Sequence, residues 1–431
     1  MQSDTEKEKK TRANIKLATL NMKGRTSSNL EQSQISKWTV VNQTMRDQKI
    51  GILCLQETHL TTDHLNQVEN IFLRRLKILS TSDPMRPGSS AGIAFVLNKE
   101  ITNTADTLIK ILIPGRAAVL STKWHNNETI NILNIYAPNN ANEHHDFWKK
   151  IETEWLGANL GPLDFMMGDF NLTENPIDRA PAQLDNENAI SALRDLRSTL
   201  RVQDTWRDEH PHQRMFTFSS NHHTLSRIDR IYASERHTES LVEWNSGISQ
   251  IPTDHHMVSV RLAPPNLPHI GKGRWSWPVG IISDIDLNKK IIESDIEAQR
   301  RIEEMGPRTE TTNPQTIWKT FKDNLTILAK DTTKTHLAKI NQRIKTLTKD
   351  LRKITNCKEN TLEDTRMNRI ILEKEIEHLH KKRYKESHLR AQVKWATHGE
   401  TISKYWSKIN SQKAPRDGPN DTRQSQKKWQ R

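Results

Sequence analysis

The sequence predicts an α+β protein with packed sheets, followed by a basic α-helical extension. Three observations predict it. Short β-type runs alternate irregularly with helical stretches through residues 14–263, the strand signal vanishes after residue 285, and the excess of positive charge lies wholly in the C-terminal part. At 431 residues the chain has room for about two or three domains. Its 34% hydrophobic content is low for one compact globule and implies solvated segments beside a real core.

The β-type runs are IKLATL (15–20), GILCLQ (51–56), AGIAFVL (91–97), AAVLSTKW (117–124), TINILNIY (129–136), PLDFMMG (162–168), RIDRIYA (227–233) and HHMVSVRL (255–262). Several alternate apolar and polar residues, as half-buried antiparallel strands do. Helical stretches fall near 30–48, 142–156 and 187–200. Strands and helices mixed without strict βαβ order indicate α+β. Pro264, Pro265 and Pro268 close this domain and open a linker over 264–285. Residues 286–410 are then expected to be helical. Leu337, Ile340, Ile344, Leu347, Leu351 and Ile354 form an apolar seam with 3-4 spacing, and a second run from about 361 to 398 carries Ile371, Ile376 and Leu379. Separated by a polar break at Asn356–Asn360, the two runs read as a helical hairpin. The seam is short for an intermolecular coiled coil, so oligomeric state stays open. The tails 1–13 and 411–431 are polar and expected to be disordered.

Charge respects the same division. Residues 1–270 hold 30 basic and 31 acidic side chains, and residues 271–431 hold 35 and 21. A near-neutral domain joined to a basic one suits a catalytic domain beside a polyanion-facing segment; solvated lysine-rich helix faces give the same count. HKKRYK (380–385) fits either reading. No stretch is apolar enough for a membrane span, and the charged start MQSDTEKEKK lacks the apolar core of a signal peptide. An intracellular, non-secreted protein is therefore expected. Cys54 and Cys357, far apart in the chain, form neither a disulfide framework nor a zinc motif.

Polar residues gather at the strand ends. Asn21 ends the first strand and Glu57 comes directly after the second. Tyr136 ends the TINILNIY strand, Asp169 and Asn171 succeed PLDFMMG in the sequence GDFN, Asp229 lies in RIDRIY, and Asp254 and His255 begin the last strand. Each has an ordinary explanation as a turn residue or a hydrogen-bonded pair. Together, on a rigid scaffold, they make a candidate site. Carboxylates and amides without cysteine suit a hard cation, Mg2+ or Mn2+. An acid beside a histidine can fix its tautomer for proton transfer. These are the parts of metal-assisted phosphodiester hydrolysis.

TLNMKGR (19–25), LQETHL (55–60), YAP (136–138), GDFN (168–171), FTF (216–218), SRIDRIY (226–232) and TDHH (253–256) resemble, in order, the endonuclease/exonuclease/phosphatase (DNase I-like) superfamily. Within it, the SRIDRIYAS segment and two stretches downstream of the domain, GKGRWSWPVGIISD (271–284) and RAQVKWATHGETISKYWSKIN (390–410), are similar to the endonucleases of non-LTR (LINE-type) retrotransposons. The resemblance implies a four-layered αββα sandwich and a DNA endonuclease that nicks one strand and leaves a 3′-hydroxyl. It implies Glu57 as principal Mg2+ ligand, with Asn21 and Asp254 near the metal. Asp169 is implied to handle the attacking water, Asn171 to bind the scissile phosphate, and His255, oriented by Asp229, to contact or protonate it. Tyr136 and Thr217 are implied to touch the phosphate or the leaving oxygen. Lys23 departs from the AP endonucleases, which carry Asp there; this puts abasic-site specificity in doubt and agrees with the retroelement subfamily. No Tyr-Ala-Asp-Asp-like motif occurs, so the reverse transcriptase region is expected to be absent from this chain. Two alternatives remain: a phosphomonoesterase of the same fold acting on inositol phosphates or lipids, and an inactive nucleic-acid-binding remnant. Against the first, Leu172, Thr173 and Glu174 come after GDFN, and loops 80–90 and 219–224 offer no polyphosphate cluster. A nuclear location would attend a chromosomal substrate.

Overall fold

The computed structural model of the chain describes residues 14–24, 30–124, 128–220, 224–249, 251, 253–264, 281, 284–356 and 367–382. The two tails, Cys357, most of the linker, the motif at 390–410 and the end of HKKRYK lie outside the described residues.

Two six-stranded sheets carry the N-terminal unit. In the first, the order is β14 (Leu241–Ile248), β15 (His256–Leu262), β1 (Ile15–Asn21), β2 (Ile50–Gln56), β4 (Ile93–Asn98) and β3 (Leu76–Thr81). In the second, it is β10 (Val202–Gln203), β13 (Asp229–Ser234), β8 (Phe165–Asp169), β7 (Thr129–Tyr136), β6 (Ala117–Lys123) and β5 (Leu108–Ile113). A small third sheet joins β11 (Phe218–Ser219), β12 (Leu225–Ser226) and β9 (Arg179–Ala180). The two large sheets are mixed: β1 and β2 run parallel, as do β7 and β8, and the remaining neighbours are antiparallel.

Three apolar layers make the four-layered sandwich. Trp38, Val41 and Met45 of α1 (Leu30–Asp47) and Val68 of α2 (Thr62–Phe72) pack with Leu20, Leu53 and Leu55 of the first sheet. Leu17, Ile52, Cys54, Ile132, Phe165 and Val258 fill the space between the sheets. Trp148 and Ile151 of α3 (His144–Gly157), with Leu193 and Leu196 of α4 (Glu187–Leu200), cover Val119, Leu133 and Met166 on the far side. A short helix, α5 (Thr205–Glu209), comes next.

Several of the runs alternate as half-buried strands do, but β2, β4 and β8 are buried along their whole length. Each has the other sheet on one face and helices on the other, so apolar side chains are needed on both. The expected helices match α1, α3 and α4 closely. By contrast, α2, β3, β5 and β14 lie outside the expected elements.

The C-terminal unit is helical. Asp284 caps α6 (Ile285–Glu303), its carboxylate accepting the Leu287 N–H at 2.8 Å. Asn313 caps α7 (Pro314–Thr355) by accepting the Thr316 N–H at 3.0 Å, with Pro314 at the first helical position, where its missing N–H costs nothing. Ile281, Leu287 and Ala329 form a small shared core. The predicted seam is the second half of α7, where Leu347 is buried. Arg343 of α7 pairs at 2.7 Å with Glu375 of α8 (367–382), which sets the two helices side by side as in a hairpin. No helix among the described residues is long and apolar enough to cross a membrane.

Candidate active site

The two-residue period of a strand decides which side chains meet. Leu17 of β1 lies in the inter-sheet core, so Thr19 and Asn21 also point between the sheets. The same count from Ile132 brings Asn134 and Tyr136 inward on β7, from Phe165 and Met167 brings Asp169 inward on β8, and from Ile231 brings Asp229 inward on β13. Register puts these groups at one end, since Asp169 stands opposite both Tyr136 and Asp229. Gly168 permits the close approach: its φ is +149°, and a Cβ there would lie 1.9 Å from the Ile135 carbonyl oxygen. Glu57 (φ +49°) and Asn171 (φ +47°) both take the left-handed conformation just past their strands. Strain of that kind concentrates at functional sites.

The contacts divide into two linked groups. Asn21 Nδ2 donates to Glu57 Oε1 at 3.0 Å and to Asp169 Oδ2 at 2.9 Å, while its Oδ1 accepts the Lys23 N–H at 2.8 Å. The Tyr136 hydroxyl lies 2.8 Å from Glu57 Oε1 and 3.0 Å from Asn139 Oδ1. Asn171 gives its backbone N–H to Asp169 Oδ1 at 3.0 Å, and its amide to the Ala137 carbonyl at 3.0 Å and to Asn139 Oδ1 at 3.2 Å. In the second group, His255 Nδ1 meets Asp229 Oδ2 at 2.9 Å beneath the Phe218 ring. Thr253 ties this turn to β1, donating to the Asn21 carbonyl at 2.8 Å and accepting the His255 N–H at 3.2 Å. Asp254 pairs through Oδ2 with Lys23 Nζ at 2.6 Å.

Electrostatics are set by burial. Asp169 is 1% exposed, and burial together with the Asp229 charge lifts its carboxyl to about 7. Burial works against a charged His255, but Asp229, by charge and hydrogen bond, outweighs it and holds the imidazole up to about 9. The cluster is thus a buried histidine between two acids. Burial, then Glu57, pushes the Tyr136 phenol well above its usual range, so it stays a proton donor.

Asp169, Asp229 and His255 bring donor atoms within 4.8 Å of one another, close enough for a cation. The His255–Asp229 hydrogen bond suits the same trio to acid–base work. Further groups that fit a hard divalent ion lie beside it. Both hydrogen bonds to the Glu57 carboxylate fall on Oε1, and Asp254 Oδ1 is buried with no hydrogen-bond partner. Asn21 faces both carboxylates with its nitrogen, an arrangement that orients them.

Thr217 is 0% exposed, and its hydroxyl oxygen accepts the N–H groups of Ile228 at 3.2 Å and Asp229 at 3.0 Å. It fixes the backbone that carries Asp229. Other supports lie beyond the sequence expectations. Asn134 donates to the Leu55 and Ala94 carbonyls of the facing sheet and accepts Gln56 Nε2 at 2.7 Å, next to Glu57. Arg227 is buried between Asp178 and Asp204. Arg230 holds the Asn171-bearing loop through the Leu172 carbonyl at 2.6 Å and through Glu174 at 3.3 Å. Both arginines lie in the SRIDR motif, which is the signal the sequence offers for them. Asn139, two residues beyond Ala137, has none beyond its position after the strand.

Acid, imidazolium and amides converging where two sheets meet are the build of a nuclease- or phosphatase-type hydrolase. The chain belongs to the endonuclease/exonuclease/phosphatase family, whose pattern it matches over residues 18–255. It is 30% identical over 186 residues to the "Transposon TX1 uncharacterized 149 kDa protein" of Xenopus laevis, an alignment covering 42% of this chain and 14% of that protein. Among solved structures it is similar to the AP endonuclease LMAP from Leishmania major (TM-score 0.48, 16% identity, 59% of this chain and 89% of that one). It is also similar to an AP endonuclease from Archaeoglobus fulgidus (0.45, 18%, 57% and 98%). The endonuclease domain of TRAS1, a telomere-specific non-LTR retrotransposon, gives 0.40, 12%, 58% and 99%.

Proposed function

We propose that the chain is a Mg2+-dependent DNA endonuclease that nicks one strand and leaves a 3′-hydroxyl. The observation that carries this reading is the buried Asp169–Asp229–His255 cluster placed against Glu57, Asn21 and Tyr136. The transposon-encoded relative supports a nucleic-acid substrate.

Glu57, with the unpartnered Asp254 Oδ1 nearby, would hold the ion, which supplies a positive charge that polarises the phosphate. This chain's own residues do the rest. Asp169 takes the proton of the attacking water, a task suited to a carboxyl raised to about 7. Asn171 positions a non-bridging phosphate oxygen. His255 meets the charge that develops on phosphorus oxygens, and Asp229, bonded to Nδ1, turns Nε2 toward the substrate. Tyr136 donates a hydrogen bond to the departing 3′-oxygen, which becomes the 3′-hydroxyl by taking a proton from solvent.

The test is conversion of supercoiled plasmid to open circle with Mg2+, with EDTA, and with Glu57→Ala, followed by primer extension from the nick. Metal- and Glu57-dependent nicks that a polymerase extends directly support the proposal. A folded protein that leaves plasmid intact but releases phosphate from inositol phosphates would replace it with the phosphomonoesterase reading.

A further inference from the structure

Lys23 is held in an unfavourable backbone conformation on a built platform. Its φ is +51°, in the left-handed region that side-chain-bearing residues avoid. The platform is firm: Met22 N–H bonds the Gln56 carbonyl at 2.9 Å and Gly24 N–H bonds the Glu57 carbonyl at 3.0 Å. From below, the buried Lys37 ammonium caps the carbonyls of Met22 at 3.0 Å and Gly24 at 2.6 Å. Glycine or asparagine would sit at position 23 with less strain. The ion pair to Asp254 does not account for the lysine either. The two side chains are 52% and 28% exposed, and pairs this open contribute little to stability.

Function accounts for it better. Four carboxylates, Glu57, Asp169, Asp229 and Asp254, surround the site and repel a polyanion. The nearby cations are mostly committed: His255 to Asp229, Lys37 to backbone carbonyls, and Arg116 to the Tyr136 ring, 5.0 Å from its centroid. The Lys23 ammonium stands exposed at the rim, between Asn21 and the turn that carries His255.

We propose that Lys23 is a substrate-contact residue. On binding, its ammonium leaves Asp254 for a backbone phosphate of duplex DNA beside the scissile one. Asp254 acts as a placeholder that keeps the ammonium at the rim in the free protein. The proposal rests on the nuclease reading and adds a residue to it.

The experiment measures binding of a short DNA duplex in EDTA across about 50 to 200 mM salt, so that cleavage plays no part. Lys23→Asn should bind about tenfold more weakly at the low-salt end, with a salt slope smaller by about 0.9, the loss of one phosphate contact. Its melting temperature should equal or exceed the wild type's, because strain is relieved. Lys23→Arg should retain affinity, and Asp254→Asn should bind more tightly by freeing the ammonium. An unchanged affinity and slope in Lys23→Asn, with wild-type plasmid nicking intact, overturns the proposal and leaves the nuclease reading standing. Weakened binding in Asp254→Asn also overturns it, since the pair would then act structurally. Wild-type protein that neither binds duplex nor nicks plasmid removes both readings.

Discussion

Replacing Arg227 by methionine tests whether the site's support is as tightly built as the contacts imply. Arg227 is buried, its side chain 2% exposed, and it bonds Asp178 through Nε at 2.9 Å and Nη2 at 3.2 Å. It also bonds Asp204 through Nη1 at 3.3 Å and through a second, shorter contact. Methionine keeps much of the stem's volume and removes every donor. Arg207 still pairs with Asp178, but Asp204 loses its main partner. Breaking a buried pair on one side costs about 3–5 kcal/mol, a drop in Tm of about 10 °C for a domain of this size. The pH dependence has a definite sign. Burial opposes the Asp204 charge in the native protein, yet Arg227 outweighs it and holds the carboxyl below its usual range. Wild-type stability from Asp204 is therefore present above the unfolded pKa and lost as pH falls through the folded one. Without Arg227 the carboxyl rises instead, so the variant carries a penalty at neutral pH that acid relieves. Thermal denaturation at pH 7 and pH 5 should show the gap between the proteins narrowing in acid. Arg227→Met with Asp204→Asn should recover part of the loss. A single variant within about 1 kcal/mol of wild type, or a gap that widens in acid, refutes the reasoning.

The same network sets three further expectations. Asn134→Leu deletes the bridge between the sheets and leaves Gln56 Nε2 with one of its two acceptors, Thr19 Oγ1; a loss of about 2–4 kcal/mol is expected in urea denaturation, together with slower cleavage because Glu57 is the next residue. Thr217→Val removes the acceptor for two buried N–H groups; it should lower kcat far more than it changes KM, and equal kcat would show that Asp229 is held by other means. Lys16 is half-buried beside Arg261, and desolvation, then that charge, lower its pKa to about 8. Its native pKa thus lies below its unfolded one, so the penalty for burying the charge is full below about pH 8 and fades as pH rises toward 10.5. Lys16→Met should accordingly be more stable at pH 7 by about 2 kcal/mol, with the advantage shrinking by pH 10; an advantage constant with pH would contradict this assignment.

The fold was legible where burial wrote long apolar runs. Ile50–Gln56 and Ile93–Asn98 are buried on both faces, and no polar residue interrupts them before their last positions. Elements with one wet face were harder to read. Leu108–Ile113 exposes Leu108 and Ile111, Leu241–Ile248 is fully buried only at Leu241 and is broken by Glu243, Asn245 and Ser246, and α6 buries only Leu287. The acids and the histidine could be picked out because they sit at the ends of apolar strands. Their supports could not: Asn131 and Asn134 look alike within TINILNIY, and only register shows that Asn134 reaches the other sheet while Asn131 accepts Ser121 on its own. The resemblance puts Thr217 near the phosphate, and nothing in the sequence shows that its hydroxyl also accepts two backbone N–H groups.

The central claim is that the buried cluster performs hydrolysis, and Asp169→Asn tests it most directly. Asparagine preserves the shape and an acceptor for the Asn171 N–H, and removes the group that takes the proton from water. Single-turnover cleavage of a plasmid by wild type and variant, with duplex binding and melting temperature measured in parallel, isolates that step. The account predicts a rate lower by at least about 100-fold, with binding and Tm nearly unchanged. A variant that binds, folds and nicks as fast as wild type would contradict it.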